Sequence, residues 1–243
     1  MDRLLELTRR AEREHFWFRG FRRFIAPHLA LATAGRTRLS ILDCGCGTGF
    51  NMQMLARHGR VTGMDLTASG LAAARETQTR LIQADTTRVP FASTSFDLVT
   101  SFDVLQCVPA DGEAVREMAR VLKPGGYWLA TVAALESLRG DHSVLAEEVR
   151  RYSKASVRRL LRDAGLEPVR LHYAFGSTLP VMFAVRTAQR LVRGHSAATG
   201  HEIEVPPAPV NAFFSGVVLA EAALARVCPL PLGSTLVVLA RKP

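Results

Sequence analysis

LSILDCGCGTGFNMQMLARHG, residues 39–59, reads as a strand, a tight turn and a helix in immediate succession. LSILDC is short and mostly apolar, as a strand buried inside a sheet must be. Gly45, Gly47 and Gly49 follow at alternate positions. Glycine turns without a Cβ clash and lets a ligand approach the backbone closely. The helix NMQMLARHG then presents free N–H groups at its start and closes at Gly59 in the C′ position. Such a turn opens the nucleotide site of many α/β sheets, and NAD, FAD and other nucleosides share it. A plain βα turn carries glycines too.

Outward from that turn the same unit repeats. RVTGMDL (60–66) predicts a second strand and TASGLAAARE a helix. RLIQAD (80–85) predicts a third strand, and SFDLVTSFDVL a fourth over about 96–101. DGEAVREMARVLKPGG predicts a helix stopped by Pro124 and the glycine pair, and YWLATVAA (127–134) a fifth strand. Strands alternating with helices imply βαβ units and a parallel sheet. Beyond 135 the pattern loosens. Residues 135–151 read as a linker or lid. Ser153 caps a helix over KASVRRLLRDAG, and LEPVRLHYAF is a sixth strand. Residues 177–193 and NAFFSGVVLAEAALARVC are helical around a Pro-rich connection, and STLVVLARK (234–242) is a final strand. Before the first strand, residues 2–14 predict a charged helix. A second helix from His15 sets Phe16, Trp17, Phe21 and Phe24 near one face.

Composition narrows the class. The chain has 243 residues, 48% of them apolar, enough for one sizeable core. The formal charge is +9, and only Lys123, Lys154 and Lys242 among the 31 basic residues are lysines. The arginines are scattered, which fits a general basic surface better than a dedicated polyanion groove. Four cysteines make no disulfide framework, and no second Cys/His pair completes a metal site beside Cys44 and Cys46. A reducing compartment follows. The N-terminus lacks the apolar core of a signal peptide. No uncharged apolar run reaches 18 residues, so no transmembrane helix is expected. These features point to the cytoplasm.

In an open parallel sheet, ligands bind beyond the carboxyl ends of the strands. The second strand ends at Asp65, placed to accept hydrogen bonds from both ribose hydroxyls. The third ends at Asp85-Thr86, where a carboxylate can receive an adenine amino group or simply form a turn. These acids argue for a nucleoside without saying which one.

LDCGCGTG, GMDLT, QADTTRVPF, SFDLVTSFDVLQCV and RVLKPGG, in this order and spacing, resemble the motifs of class I S-adenosylmethionine-dependent methyltransferases. EHFWFRGFRR, the DH…RRY stretch and the C-terminal P…N…E…LP.G.S pattern resemble one bacterial, type 11-like branch. The resemblance implies an α/β fold: a Rossmann-like seven-stranded sheet, mostly parallel with the last strand antiparallel, helices on both faces and a helical substrate cap. It implies a lid over 1–38, a cofactor core over 39–176, a cap insertion over 177–232 and a final core strand over 233–243.

The resemblance also implies S-adenosyl-L-methionine as cofactor and S-adenosyl-L-homocysteine as product. Gly45, Cys46 and Gly47 would line methionine and ribose, and Asp43 would face the cofactor amine. Asp65 would hold the ribose, Leu66 would pack on adenine, and Asp85 and Thr86 would touch the adenine edge. Phe102 and Asp103 would face the methyl donor. Trp17 and Arg19 would close over the cofactor, Arg19 through its carboxylate. Three departures stand out. Gln106-Cys107 replaces an acid and an imidazole common in the branch, Cys44 takes a usually aliphatic place, and 146–149 lacks histidines that relatives carry.

Methyl transfer from a sulfonium is an in-line displacement, so alignment and exclusion of water are the protein's main tasks. A base is needed only for an unactivated acceptor. His142 is the first candidate, with Asp103 and Tyr152 behind it. No metal is expected. The acceptor reads as a small or lipid-like molecule bound by the N-terminal helix, the 135–151 lid and the 177–232 insertion. Arg186, Arg190 and Arg193 recur at helical spacing, facing either solvent or phosphates of a lipid-linked acceptor or membrane. Peripheral membrane contact is thus an expectation for 177–193 and 212–228. The alternatives are an RNA methyltransferase, disfavoured by the lack of an RNA-binding module or an N/D-P-P-Y/F motif, and a non-catalytic S-adenosylmethionine-binding protein. A dehydrogenase fits poorly, because the third glycine of GxGxxG is out of register.

Overall fold

The computed structural model describes residues 8, 9, 11–76, 80–193 and 204–243, and the side chains at 141, 142 and 188–193 fall outside the description. Helix α1 (Phe16–Thr33) precedes β1 (Leu39–Cys44), α2 (Phe50–Leu55), β2 (Gly59–Asp65), α3 (Ala68–Ala74) and β3 (Leu81–Gln83). Then come β4 (Phe96–Phe102), α4 (Asp111–Val121), β5 (Leu122–Ala133), α5 (Asp141–Leu145), α6 (Lys154–Asp163) and β6 (Glu167–Ala174). Helices α7 (Leu179–Arg193) and α8 (Ala208–Leu224) and strand β7 (Thr235–Arg241) complete the order.

The seven strands lie in the order β3-β2-β1-β4-β5-β7-β6. The first five pair in parallel, and β7 runs antiparallel to both β5 and β6. The chain builds outward from β1 to β3, then returns to place β4 on the other side of β1. That reversal opens a crevice between the carboxyl ends of β1 and β4.

Both faces of the sheet are covered, because successive side chains of a strand point to opposite sides. Ile41, Leu98, Leu129 and Val237 pack with Phe21, Phe24, Ile25 and Phe175 on one face. Leu42, Val99, Trp128 and Val238 pack with Met118, Val157 and Leu161 on the other. Helix α1 therefore lies on the sheet, with α8 beside it. A Cβ on Gly20 would fall 2.0 Å from Cγ1 of Val218, so only glycine lets these two helices approach. Asn211 of α8 holds the start of α1, accepting from Phe16 N at 2.8 Å and donating to the Glu14 carbonyl at 2.9 Å. Glu221 of the same helix accepts from the Gly176 and Ser177 amides at 2.7 and 3.0 Å, bracing the turn after β6. The C-terminal P…N…E pattern thus has a bracing role.

Several boundaries differ from the sequence reading. Helix α2 ends at Leu55 with Ala56 as its cap, and Gly59 does not close it but opens β2, paired with Leu39. The helix expected over 111–126 stops at Val121, and β5 starts at Leu122 instead of Tyr127. Pro124 disfavours helical geometry at Lys123, and pairing of Leu122 with Phe96 takes the backbone into the sheet. Helix α8 begins at Ala208, three residues before Asn211, with Pro209 in its first turn, where a missing N–H costs nothing. The charged helix expected over 2–14 lies mostly outside the described residues. Thr8, Arg9 and Ala11 are helical, and 12–14 form a turn. Among the described residues no helix is long and apolar enough to cross a membrane.

Candidate active site

The glycine turn sits at the head of β1. Gly45 has φ +75°, and a Cβ there would lie 2.3 Å from Val104. The turn is tied to β2 by Asp65, which accepts from Gly47 N at 2.8 Å and from the amide and hydroxyl of Thr67 at 2.9 and 2.7 Å. Next to it Leu66 is 63% exposed. Asp85 is exposed, and one of its oxygens accepts from Thr87 N at 2.8 Å, the turn geometry that the sequence also allowed. Thr86 beside it is buried.

Asp43 lies beneath the turn, 2% exposed, and accepts from the Thr100 hydroxyl at 2.6 Å. Burial pushes its pKa up to about 7, against the Thr100 bond and with help from the nearby charge of Asp65. A buried carboxyl facing a second acid is best completed by a cation. Cys44 and Cys46 are buried, and that burial raises both thiols, so neither is a thiolate. Together the turn, Asp65, Leu66 and Asp43 fit a ligand with a ribose, a flat base and a positively charged amino-acid end.

On the β4 side stands Asp103, with φ +56°, in the left-handed region that aspartate enters more readily than most non-glycine residues. Its amide donates to the Thr131 carbonyl at 3.0 Å and hydroxyl at 3.1 Å. Asp103 lines a cavity of about 310 Å³. Burial raises its pKa to about 6, opposed by the Thr131 hydroxyl and raised further by the charge of Glu148. Gln106 lines the same floor, with Oε1 accepting from Ala133 N at 3.4 Å. Arg151 lines it too, bonded to Glu148 at 3.0 Å, Ser143 Oγ at 2.9 Å and the Ala134 carbonyl at 3.2 Å. Phe16, Trp17 and Phe18 wall the cavity from α1, and Val181, Met182 and Val185 from α7.

The sequence-expected residues therefore fall into two groups. Asp43, Gly45, Cys46, Gly47, Asp65, Leu66, Asp85 and Thr86 surround the turn and the ends of β1 to β3. Trp17 and Asp103 line the cavity, Trp17 stacked on Phe21 and Phe175, while Phe102 at the end of β4 lies edge-on to Phe21. Arg19 stands apart, exposed on α1 with Nη1 3.4 Å from Ser215 Oγ of α8. His142 falls in α5, but its side chain lies outside the described residues. Tyr152 has no freedom to act as a base. Its hydroxyl donates to Leu105 O and Asp111 Oδ2 at 3.1 and 2.8 Å, and burial pushes its pKa far up. Of the Arg stripe only Arg186 has a described side chain. It is buried, with Nε donating to the Leu138 carbonyl at 3.0 Å.

Sequence reading missed Glu12, Thr48 and Arg22. Glu12 is buried against the turn, and the Thr48 hydroxyl donates to its two oxygens at 2.8 and 2.7 Å. Burial raises its pKa to about 7, against the pull of the Thr48 bond and Arg22. Among the described residues no cluster of His, Cys, Asp and Glu is arranged to hold a metal ion.

A family model described as a methyltransferase domain matches residues 42–130, from β1 to β5. The ubiquinone biosynthesis O-methyltransferase of Pseudomonas paraeruginosa is 30% identical over 186 residues, 63% of this chain and 80% of that protein. The chain belongs to the class I S-adenosylmethionine-dependent methyltransferases. A malonyl-[acyl-carrier protein] O-methyltransferase of Enterobacter lignolyticus is 35% identical over 167 residues, 67% of this chain and 66% of that one. A Haloferax volcanii methyltransferase solved with its Trm112 activator shares the fold, at TM-score 0.63 and 20% identity over 99% of this chain and 94% of that one. The matched region of this methyltransferase-family chain spans 66, 41, 54 and 40% of four O-methyltransferases of malonyl-[acyl-carrier protein] or fatty acids.

Proposed function

We propose that this chain transfers the methyl group of S-adenosylmethionine to a hydroxyl of a small, largely apolar acceptor held in the 310 Å³ cavity. The observation that carries this reading is Asp103, set at the carboxyl end of β4 between the glycine turn and the cavity floor. A similar protein named as an O-methyltransferase of ubiquinone biosynthesis supports an oxygen acceptor of lipid-like character.

The bound sulfonium supplies an activated methyl group. The chain's residues then align, shield and take up a proton. Asp65 holds the ribose, Leu66 covers the base, and Asp43 answers the ammonium. Phe16, Trp17 and Met182 exclude water from the line of transfer. Asp103 accepts the acceptor's hydroxyl proton as the new O–C bond forms and the C–S bond breaks. Its raised pKa makes it a stronger base than an exposed aspartate. A hydroxyl suits this floor better than a carboxylate, because Arg151 is engaged by Glu148, Arg186 donates to Leu138, and Asp103 repels an anion. The same apolar lining gives an RNA acceptor little support.

In this reading the described residues before β1, the 135–151 segment and α7 cap the acceptor over the core, since all three contribute lining residues to the cavity. Val181, Phe183 and Val185 on α7 and Phe213 on α8 are exposed, which supports peripheral contact with a membrane that delivers a lipid-like acceptor. All four cysteines are free, in keeping with a reducing cytoplasm. The test is a transfer assay with methyl-labelled S-adenosylmethionine. Apolar phenols and alcohols are expected to take up label, and matched carboxylic acids are not. Label on the acids alone would overturn the hydroxyl assignment.

A further inference from the structure

Arg22 is the unexplained charge of the site. It lies on α1 with its guanidinium carbon 4.9 Å from the ring centre of Phe50, the first residue after Gly49. Nη1 of Arg22 is buried and has no hydrogen-bond partner among the described residues. A buried guanidinium N–H without an acceptor is costly, so its presence at a ligand site points to an acceptor that arrives with the ligand. Glu12 attracts Arg22, yet the Thr48 hydroxyl bonds both Glu12 oxygens and turns them toward the glycine turn. Arg19, one turn earlier, is exposed and reaches Ser215 on the α8 side.

We propose that Arg22, and not Arg19, is the binding subsite for the α-carboxylate at the amino-acid end of the cofactor. The proposal rests on the cofactor reading above. With the base end at Leu66 and Asp85 and the methyl end facing Asp103, the amino-acid end passes the turn toward α1. There the guanidinium, over the Phe50 ring, meets it. Its unpartnered N–H supplies a charge-assisted hydrogen bond to the carboxylate. Glu12 and Thr48 position the turn beneath.

Calorimetric titration tests this with two ligands: S-adenosylhomocysteine and its analogue bearing hydrogen in place of the carboxylate. Arg22→Gln is expected to weaken S-adenosylhomocysteine about tenfold or more, the size of one charge-assisted hydrogen bond. The decarboxylated analogue should bind this variant and the unaltered chain alike, within about twofold. Arg22→Lys, which keeps the charge and tolerates the site's shape, should recover part of the loss. Arg19→Gln should change neither ligand. Equal weakening of both ligands by Arg22→Gln and Arg22→Lys, or a selective loss in Arg19→Gln instead, would overturn the proposal. Failure of the unaltered folded chain to bind either ligand is a different result, and it would remove the cofactor reading itself.

Discussion

Thr100 on β4 donates its hydroxyl hydrogen to Oδ1 of Asp43 on β1 over 2.6 Å, joining the two strands across the point where the sheet order reverses. The pair places a fully desolvated acid directly below the glycine turn. Without a cation nearby that acid is a burden on the fold, and with a cationic ligand it becomes an anchor.

The first prediction concerns that acid. Asp43 has a folded pKa of about 7, above its ordinary value of 3.8. Between those values the folded chain holds a proton that the unfolded chain releases. Its stabilising effect is therefore full below about pH 4 and lost as pH rises through 7. Asp43→Asn should melt with the parent at pH 4 and above it at pH 8, in the absence of ligand. His15 and His28, lowered to about 4 by burial, act in the opposite sense, but they cancel in the difference between the two proteins. The same variant should bind S-adenosylhomocysteine more weakly.

Asp65 orders the turn and, in the proposed reading, holds the ribose. Asp65→Asn keeps the shape but weakens the acceptors offered to Gly47, Thr67 and the ligand. A loss of roughly 10- to 100-fold in S-adenosylhomocysteine affinity is expected, the size of one or two hydrogen bonds to a charged group. Calorimetry measures it directly. Unchanged affinity would remove Asp65 from the site.

In the proposed mechanism Asp103 is the base and sets the pH profile of transfer. With a pKa near 6, its base form grows as pH rises from 5 to 7, so the rate should climb over that range and then level. Asp103→Asn should lower kcat by about 10² to 10⁴ and flatten the climb. A variant that keeps both rate and profile would transfer the role of base to another group, with His142 the next to replace.

Gly20 seats α1 against α8. Gly20→Ala puts a methyl group into Val218 and should cost about 1–3 kcal/mol, read as a lower melting temperature. Adding Val218→Ala should restore part of that loss. If the pair is simply additive, the two helices are not in contact as described.

The core sheet was legible because each strand from β1 to β4 is a short apolar run closed by an acid or a glycine turn. Asp65 and Asp85 fall at strand ends on sequence spacing alone, and their geometry follows from the topology. The end of α4 was not legible, since VLKP continues a helical pattern while Leu122 is taken by its pairing with Phe96. The cavity was legible only in outline. Its parts come from α1, the 103–106 turn, the 135–151 segment and α7, and which way a helix faces depends on packing. Arg186 shows this: it shares helical spacing with Arg190 and Arg193, yet it turns inward to Leu138. Arg22 sits in an ordinary Arg-Arg pair, and what distinguishes it from the exposed Arg23 is its place over Phe50 and its buried, unpartnered nitrogen, neither of which the sequence displays.

Titration of the folded chain with S-adenosylhomocysteine and, separately, with NAD tests the cofactor assignment most directly. S-adenosylhomocysteine is expected to bind at one site and raise the melting temperature, and NAD to do neither. No binding of S-adenosylhomocysteine to a folded sample, or a matching response to NAD, would contradict the assignment of the glycine turn, Asp65 and Asp43 to a methyl donor.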